Sequence, residues 1–283
     1  MTVKRTVAAF IHHAIIIFLL VLTLYPLFFT VITSFKDNER FYQHFWALPD
    51  PWVMANYADA FRFIMPYLGN SLIISAASIL VILLTTSMAG YAFARLRFPG
   101  REVLFMAVLA LLMIPSVLQL IPRFILLRDL GLLVPTGIRQ YVAIMLGYLG
   151  GQQAFSVFII RSFFDSQPED LFEAARIDGC NEFRAYYQIA IPLIKPVLAT
   201  VAVVTLLAIW NDYLWPLIVT TDKKYYTVAL GLLQYKGVTL LGTLILYGPL
   251  FAGYVVAALP LIIMYIVLMK YFLQGLTAGA IKM

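Results

Sequence analysis

Glu173-Ala174-Ala175-Arg176-Ile177-Asp178-Gly179, continuing to Ile189-Ala190-Ile191-Pro192, is the stretch whose reading fixes the architecture. It is a polar segment set between two strongly apolar ones in the second half of the chain. Its first part reads as a short helix. Ser166 is the expected N-cap, with Glu169 at the capping-box spacing and Pro168 in the first turn, where a missing N–H costs nothing. Glu169, Asp170 and Glu173 crowd the N-terminal half, where the helix dipole favours anions. Gly179 is the expected stop, because glycine takes a left-handed C′ conformation without a Cβ penalty. A second helical piece is expected from Asn181 until Pro192 and Pro196 interrupt it. On the first helix Leu171, Phe172 and Ala175 should lie close together. Two readings stay open on this basis: a small-residue plug with Glu173 as an anionic anchor for a protein socket, or an amphipathic helix on the membrane surface.

Working outward, the flanking sequence is too apolar for a soluble domain. Of 283 residues, 63% are hydrophobic and only 12% charged, against roughly half and a quarter in soluble domains, and the mean hydropathy is +0.91. The chain reads as an all-α membrane protein, since lipid offers no partner to an open strand edge. Six transmembrane helices are expected, at about 10–33, 70–92, 103–121, 141–160, 196–220 and 246–272. Residues 35–67 form a loop whose Trp and Tyr content suits the interface. The N-terminal apolar run is too long for a signal peptide and reads as an uncleaved first span. Pro115 and Pro260 are expected to kink their spans. The expected organisation is 1–69 for the first helix and an extracytoplasmic loop, 70–272 for a five-helix transporter domain with a loop at about 161–195, and 273–283 for a cytoplasmic tail.

Several function classes are excluded. The net charge of +6 suits loops facing anionic lipid, and no basic stripe with interleaved aromatics suggests nucleic acid. The single cysteine, Cys180, excludes an internal disulfide and a Cys-based metal cluster. His12 and His13 are adjacent, point to different faces and make a poor metal pair. No phosphate-binding G-x-x-x-x-G-K-[ST] loop is present, and no Ser, His and Asp set suggests hydrolysis. The chain therefore reads as no enzyme. A secondary transporter or channel is the alternative, but such carriers place ionisable relays in several spans, and here only Asp212 is prominent.

The spacing Glu-Ala-Ala, three residues, Gly179, nine residues, Ile189-x-Ile191-Pro192 resembles the cytoplasmic EAA loop of ABC-importer permeases. That family usually has Leu where Ile191 stands and a small residue where Cys180 stands. Gly90-Tyr91-Ala92-Phe93-Ala94-Arg95-Leu96-Arg97-Phe98-Pro99-Gly100, Asn70-Ser71, Gly131-Leu132, Trp210-Asn211-Asp212-Tyr213-Leu214-Trp215-Pro216 and the tail Gly275 to Lys282 are similar to the second permease of maltose-type carbohydrate importers. The resemblance implies a type I importer transmembrane domain whose coupling helix carries Glu173, Ala174, Ala175, Asp178 and Gly179. It implies a homologous permease, two ATPase subunits and an extracytoplasmic solute-binding protein as partners. ATP and Mg would sit in the ATPase, with no cofactor in this chain. It also places both termini in the cytoplasm of a bacterial or archaeal inner membrane, which the charge bias alone does not decide: eleven of the 20 Lys and Arg fall inside with that orientation and nine outside.

For the solute, Trp210, Asn211, Asp212 and Trp215 are candidates to line the path, since aromatics stack on sugar rings and amides or carboxylates bond hydroxyls. The competing reading of Asp212 is a structural cap near the outer boundary. Gly147, Gly150, Gly151, Gln152 and Gln153 form a small and polar patch that reads first as helix packing.

Overall fold

The computed structural model describes residues 2–133, 137–235 and 245–280, and side chains within them except those of 2–8, 268 and 270–280. The regular elements in chain order are α1 (Thr2–Ser34), α2 (Asn38–Gln43), α3 (Ala55–Arg95), α4 (Arg101–Ala110), α5 (Leu120–Asp129), α6 (Ile138–Asp165), α7 (Asp170–Ile177), α8 (Glu182–Ala185), α9 (Ile191–Leu193), α10 (Lys195–Asn211), α11 (Leu214–Val219), α12 (Val228–Gln234) and α13 (Tyr247–Ala280). Four helices are long and apolar enough to cross a membrane, and two bent helix pairs bring the number to six if each is one span. The expected all-α, six-span architecture is the observed one. Along the apolar window of α1 no residue is buried within the chain, so its side chains face lipid or another protein.

Both bent pairs contain residues expected in single spans. Arg101–Met113 and Ser116–Asp129 meet at 100°, so the kink expected at Pro115 in the third span is a sharp fold-back. Pro115 explains the break: proline lacks the N–H and pushes the preceding residue out of the α region. Ile114 is accordingly extended, at φ −85° and ψ 114°. The fifth span, expected over 196–220, stops at Asn211 and restarts at Leu214. There Asp212 turns its carboxylate onto the backbone, accepting from Leu214 N at 2.9 Å and Trp215 N at 3.3 Å. Such local bonding competes with helix continuation. A further bend of 73° separates Glu182–Leu193 from Lys195–Asn211.

The second span is longer than its apolar core suggests. At 41 residues α3 is about 60 Å long, twice the hydrocarbon thickness of ~30 Å, and it begins inside the segment expected to be a loop. The expected tail from 273 continues α13 as far as Ala280, and Lys282 lies outside the described residues.

The chain divides into two compact units, Met1–Met65 with Leu232–Leu259, and Pro66–Gly231 with Pro260–Met283. In the first, Asn56 Nδ2 donates to Ser34 O and Lys36 O, both at 2.9 Å, and so closes the turn after α1. Asn38 ties the start of α13 to α2, accepting from Tyr247 N at 3.0 Å, while the Phe41 and Tyr247 rings stack at 4.1 Å. The second unit holds two apolar clusters. One gathers Tyr91, Phe164, Phe172, Tyr186 and Ile194. The other gathers Ile74, Ile144, Tyr148, Ile209 and Trp215. Each backs one candidate site.

Candidate functional site

The polar segment leaves α6 at Asp165. Ser166 Oγ donates back to Phe163 O at 2.7 Å, closing α6. Glu169 stands at the N-terminal boundary of α7, with its carbonyl accepting from Phe172 N and Glu173 N at 2.8 and 3.0 Å, and Pro168 precedes it. The stop is the expected one. Gly179 is left-handed at φ 79°. Gly179 N donates to Arg176 O and Cys180 N to Ala175 O, at 3.0 and 2.9 Å, the paired bonds of a Schellman end. Asn181 caps the following helix, its Oδ1 accepting from Arg184 N at 2.8 Å.

One ring fixes the orientation of α7. Phe172 is 1% exposed among Tyr91, Phe164 and Tyr186. Ala175 is buried on the same face, so of the five predicted coupling residues it alone turns into the chain's own core. Glu173, Ala174, Asp178 and Gly179 are exposed. Leu171 and Ile177 lie outward as well, Ile177 at 86%, so Leu171 does not join Phe172 and Ala175 as the helical spacing suggested. An outward surface of small and apolar residues results, with the carboxylates of Asp170, Glu173 and Asp178 exposed along it.

Three residues that sequence reasoning did not single out hold this arrangement. The guanidinium of Arg95, the last residue of α3, sits 4.4 Å from the Phe172 ring centroid. It also donates to Phe164 O at 2.5 Å and Gln167 O at 2.7 Å. A cation is thus placed on carbonyls at the C-terminal end of α6, where the dipole favours it. Glu182 joins the other side: Tyr91 Oη donates to Glu182 Oε2 at 2.8 Å and Arg176 Nε to Glu182 Oε1 at 3.1 Å. The signal available for Arg95 and Tyr91 was their place in the 90–100 motif.

The second site lies where the two broken spans meet α6. A cavity of about 210 Å³ is lined by Arg123, Tyr148, Gln152, Asp212 and Trp215 among others. Arg123 also borders a neighbouring cavity of about 360 Å³. Its guanidinium donates to Gly147 O at 3.1 Å and to Gln119 Oε1, and lies against Gly151, where a Cβ would come within 3.3 Å of it. Asp212 is its electrostatic counterpart. Trp215 is 2% exposed, donates from Nε1 to Ile144 O at 3.0 Å and fills the space that a Gly147 side chain would need, with indole atoms 2.1 Å from that Cβ position. Gly147 therefore serves close packing, as expected, while Gly151 and Gln152 line the cavity. Of the four expected path residues, Asp212 and Trp215 line the cavity, Trp210 is buried, and Asn211 is exposed with its amide donating to Leu207 O at 2.8 Å. Arg123 and Tyr148 were missed. The signal for Arg123 was an isolated cation in the apolar run 120–127, two residues past the expected end of its span.

Comparison with known proteins places this geometry. Residues 82–278 match the family described as binding-protein-dependent transport system inner membrane component. The chain is 33% identical to the diacetylchitobiose uptake system permease protein NgcG of Streptomyces coelicolor, covering 97% of this chain and 89% of that protein. It is 33% identical to the arabinooligosaccharides transport system permease protein AraQ of Bacillus subtilis, over 92% and 91%. It is 31% identical to the trehalose/maltose transport system permease protein MalG of Thermococcus litoralis, over 94% of each. In fold it is similar to a chain of a bacterial ABC transporter involved in the import of the acidic polysaccharide alginate, at a TM-score of 0.82 and 22% identity over 95% and 98% of the chains. With six candidate spans, an outward-facing EAA helix and this likeness over nearly its whole length, the chain belongs to the inner-membrane components of binding-protein-dependent transport systems, the permease subunits of ABC importers.

Proposed function

We propose that this permease forms half of the translocation pore of an importer for a sugar or sugar-derived solute, and that α7 couples it to an ATPase subunit. The outward face of α7 carries the coupling reading: Glu173 and Ala174 are exposed while Phe172 is locked inward. A partner can reach the carboxylate for a charge-assisted bond, and Ala174 lets its backbone approach. Because Phe172, Arg95 and Glu182 fasten α7 to α3 and α6, a pull on α7 is a pull on spans. Rocking of near-rigid helices then alternates access, as in other carriers. The sugar class rests on the relatives, whose names specify diacetylchitobiose, arabinooligosaccharides and trehalose or maltose.

The complete importer in this reading contains a second, homologous permease, two ATPase subunits that bind ATP and Mg, and an extracytoplasmic solute-binding protein. α7 lies in the cytoplasm, because ATP is there. In this reading an even number of spans keeps both termini on the cytoplasmic side of a bacterial or archaeal inner membrane. Glu173→Lys tests the anchor. The complex should still assemble and hydrolyse ATP, while solute uptake falls about tenfold or more, the value of a lost charge-assisted bond. Wild-type uptake in that variant would overturn the assignment.

A further inference from the structure

We infer that the cavity between the two broken spans and α6 is a solute subsite of this subunit, built for one ring of a neutral polyhydroxylated solute, with Arg123 and Asp212 as its recognition pair. This rests on the sugar-import reading above and names the site.

Three observations converge there. First, two helix interruptions open onto the cavity, the 100° bend after Pro115 and the gap between α10 and α11 at Asp212. Interrupted helices form solute sites in membrane carriers, because irregular backbone is tolerated where it lines a cavity or is buried in protein. Second, the charges balance. Arg123 supplies donors and Asp212 acceptors, and each is already held by protein, Arg123 by Gly147 O and Gln119, Asp212 by Leu214 N and Trp215 N. Neither pairs with the other within 4 Å among the described ion pairs. The pair is oriented and remains open to a third party. Third, Tyr148 is 6% exposed and lines the cavity, with its hydroxyl directed at the Asp212 carboxylate. A phenol beside a carboxylate offers an incoming hydroxyl both a donor and an acceptor.

The donor and acceptor pattern selects the ligand. Vicinal hydroxyls both donate and accept, matching a guanidinium on one side and a carboxylate on the other, with the Gln152 amide and the Tyr148 hydroxyl able to do either. An anionic solute would meet Arg123 but also the Asp212 charge in a low-dielectric site. The volume of about 210 Å³ suits one ring of a longer chain.

The chain has one cysteine, Cys180, so Cys180→Ser gives a background in which Ser116→Cys, on the cavity wall, is a unique reporter. The assembled importer in lipid is offered maltose, trehalose, diacetylchitobiose and an arabino-oligosaccharide, and the sugar taken up becomes the probe. That sugar should slow alkylation of the reporter by N-ethylmaleimide, and glucuronate should not. Arg123→Gln should raise the sugar concentration needed for protection about tenfold or more. Asp212→Asn keeps an amide oxygen for the Leu214 and Trp215 N–H groups and removes only the charge. It should let glucuronate protect. If the sugar is taken up but never protects the reporter, if the reporter reacts with no reagent during turnover, or if glucuronate protects the wild-type site equally, the subsite is wrong and the import reading stands. If a coupled complex takes up none of the four sugars, the sugar reading fails and the subsite falls with it.

Discussion

The α7 segment and the Arg123 cavity belong to one compact unit, and they treat charge in opposite ways. Around α7 the carboxylates of Glu173 and Asp178 face outward, and a single ring, Phe172, is driven inward. Around the cavity Arg123 and Asp212 face inward, with room for the guanidinium where Gly151 lacks a side chain, room for the Trp215 indole where Gly147 lacks one, and two helix interruptions alongside. The first arrangement is an anchored surface, which tolerates change on its outer face while its buried ring stays. The second is a carved interior, in which the atoms left out matter as much as those present. A docking surface needs the first kind of construction and a solute site the second.

That contrast breaks most easily at the anchor. Phe172→Ala should destabilise the unit by about 3–5 kcal/mol, the cost of deleting a fully buried aromatic, read as a lower midpoint of thermal unfolding in detergent. An unchanged midpoint would mean that α7 does not depend on its ring. In the cavity the largest effect should come from adding atoms. Gly147→Val places carbon where the Trp215 indole lies, and overpacking of this kind costs about 1–3 kcal/mol. The same change should alter the near-ultraviolet signal of Trp215 by displacing its bond to Ile144 O. The smallest effect belongs to the outer rim of the coupling region. Arg97 meets Glu169 at 3.9 Å with its side chain 92% exposed, so Arg97→Ala should shift stability by less than about 0.5 kcal/mol. A large loss in an unfolding titration of that variant would show that the outer face is structural after all.

How much of each region could be read in the chain follows from the same difference. The α7 segment is local: the Gly179 stop, the Asn181 cap and the exposure of Glu173 follow from neighbours within a few residues. Even there Ser166 also closes the preceding helix, because a hydroxyl three residues from a carbonyl can bond back to it. Arg95 over Phe172 joins residues far apart in sequence, and no periodicity reports such a contact. The cavity is non-local throughout. Pro115 announced a bend, but not one of 100°, and without that fold-back Arg123 reads as a loop cation beyond the end of a span. Asp212 was conspicuous alone, while its counterpart and the buried Tyr148 hydroxyl were visible only in three dimensions. Trp210 and Trp215 attracted attention as sugar-stacking residues, yet both are buried, and Trp215 is placed by a glycine on α6.

Purification of the tagged chain from native membranes, with ATPase activity assayed in lipid, tests the central claim most directly. A complex containing a second permease and an ATPase, whose hydrolysis rises with a solute-binding protein and one sugar, is the predicted result. Recovery of this chain alone, or only with copies of itself, moving solute without ATP, would contradict the account and leave a secondary carrier in its place.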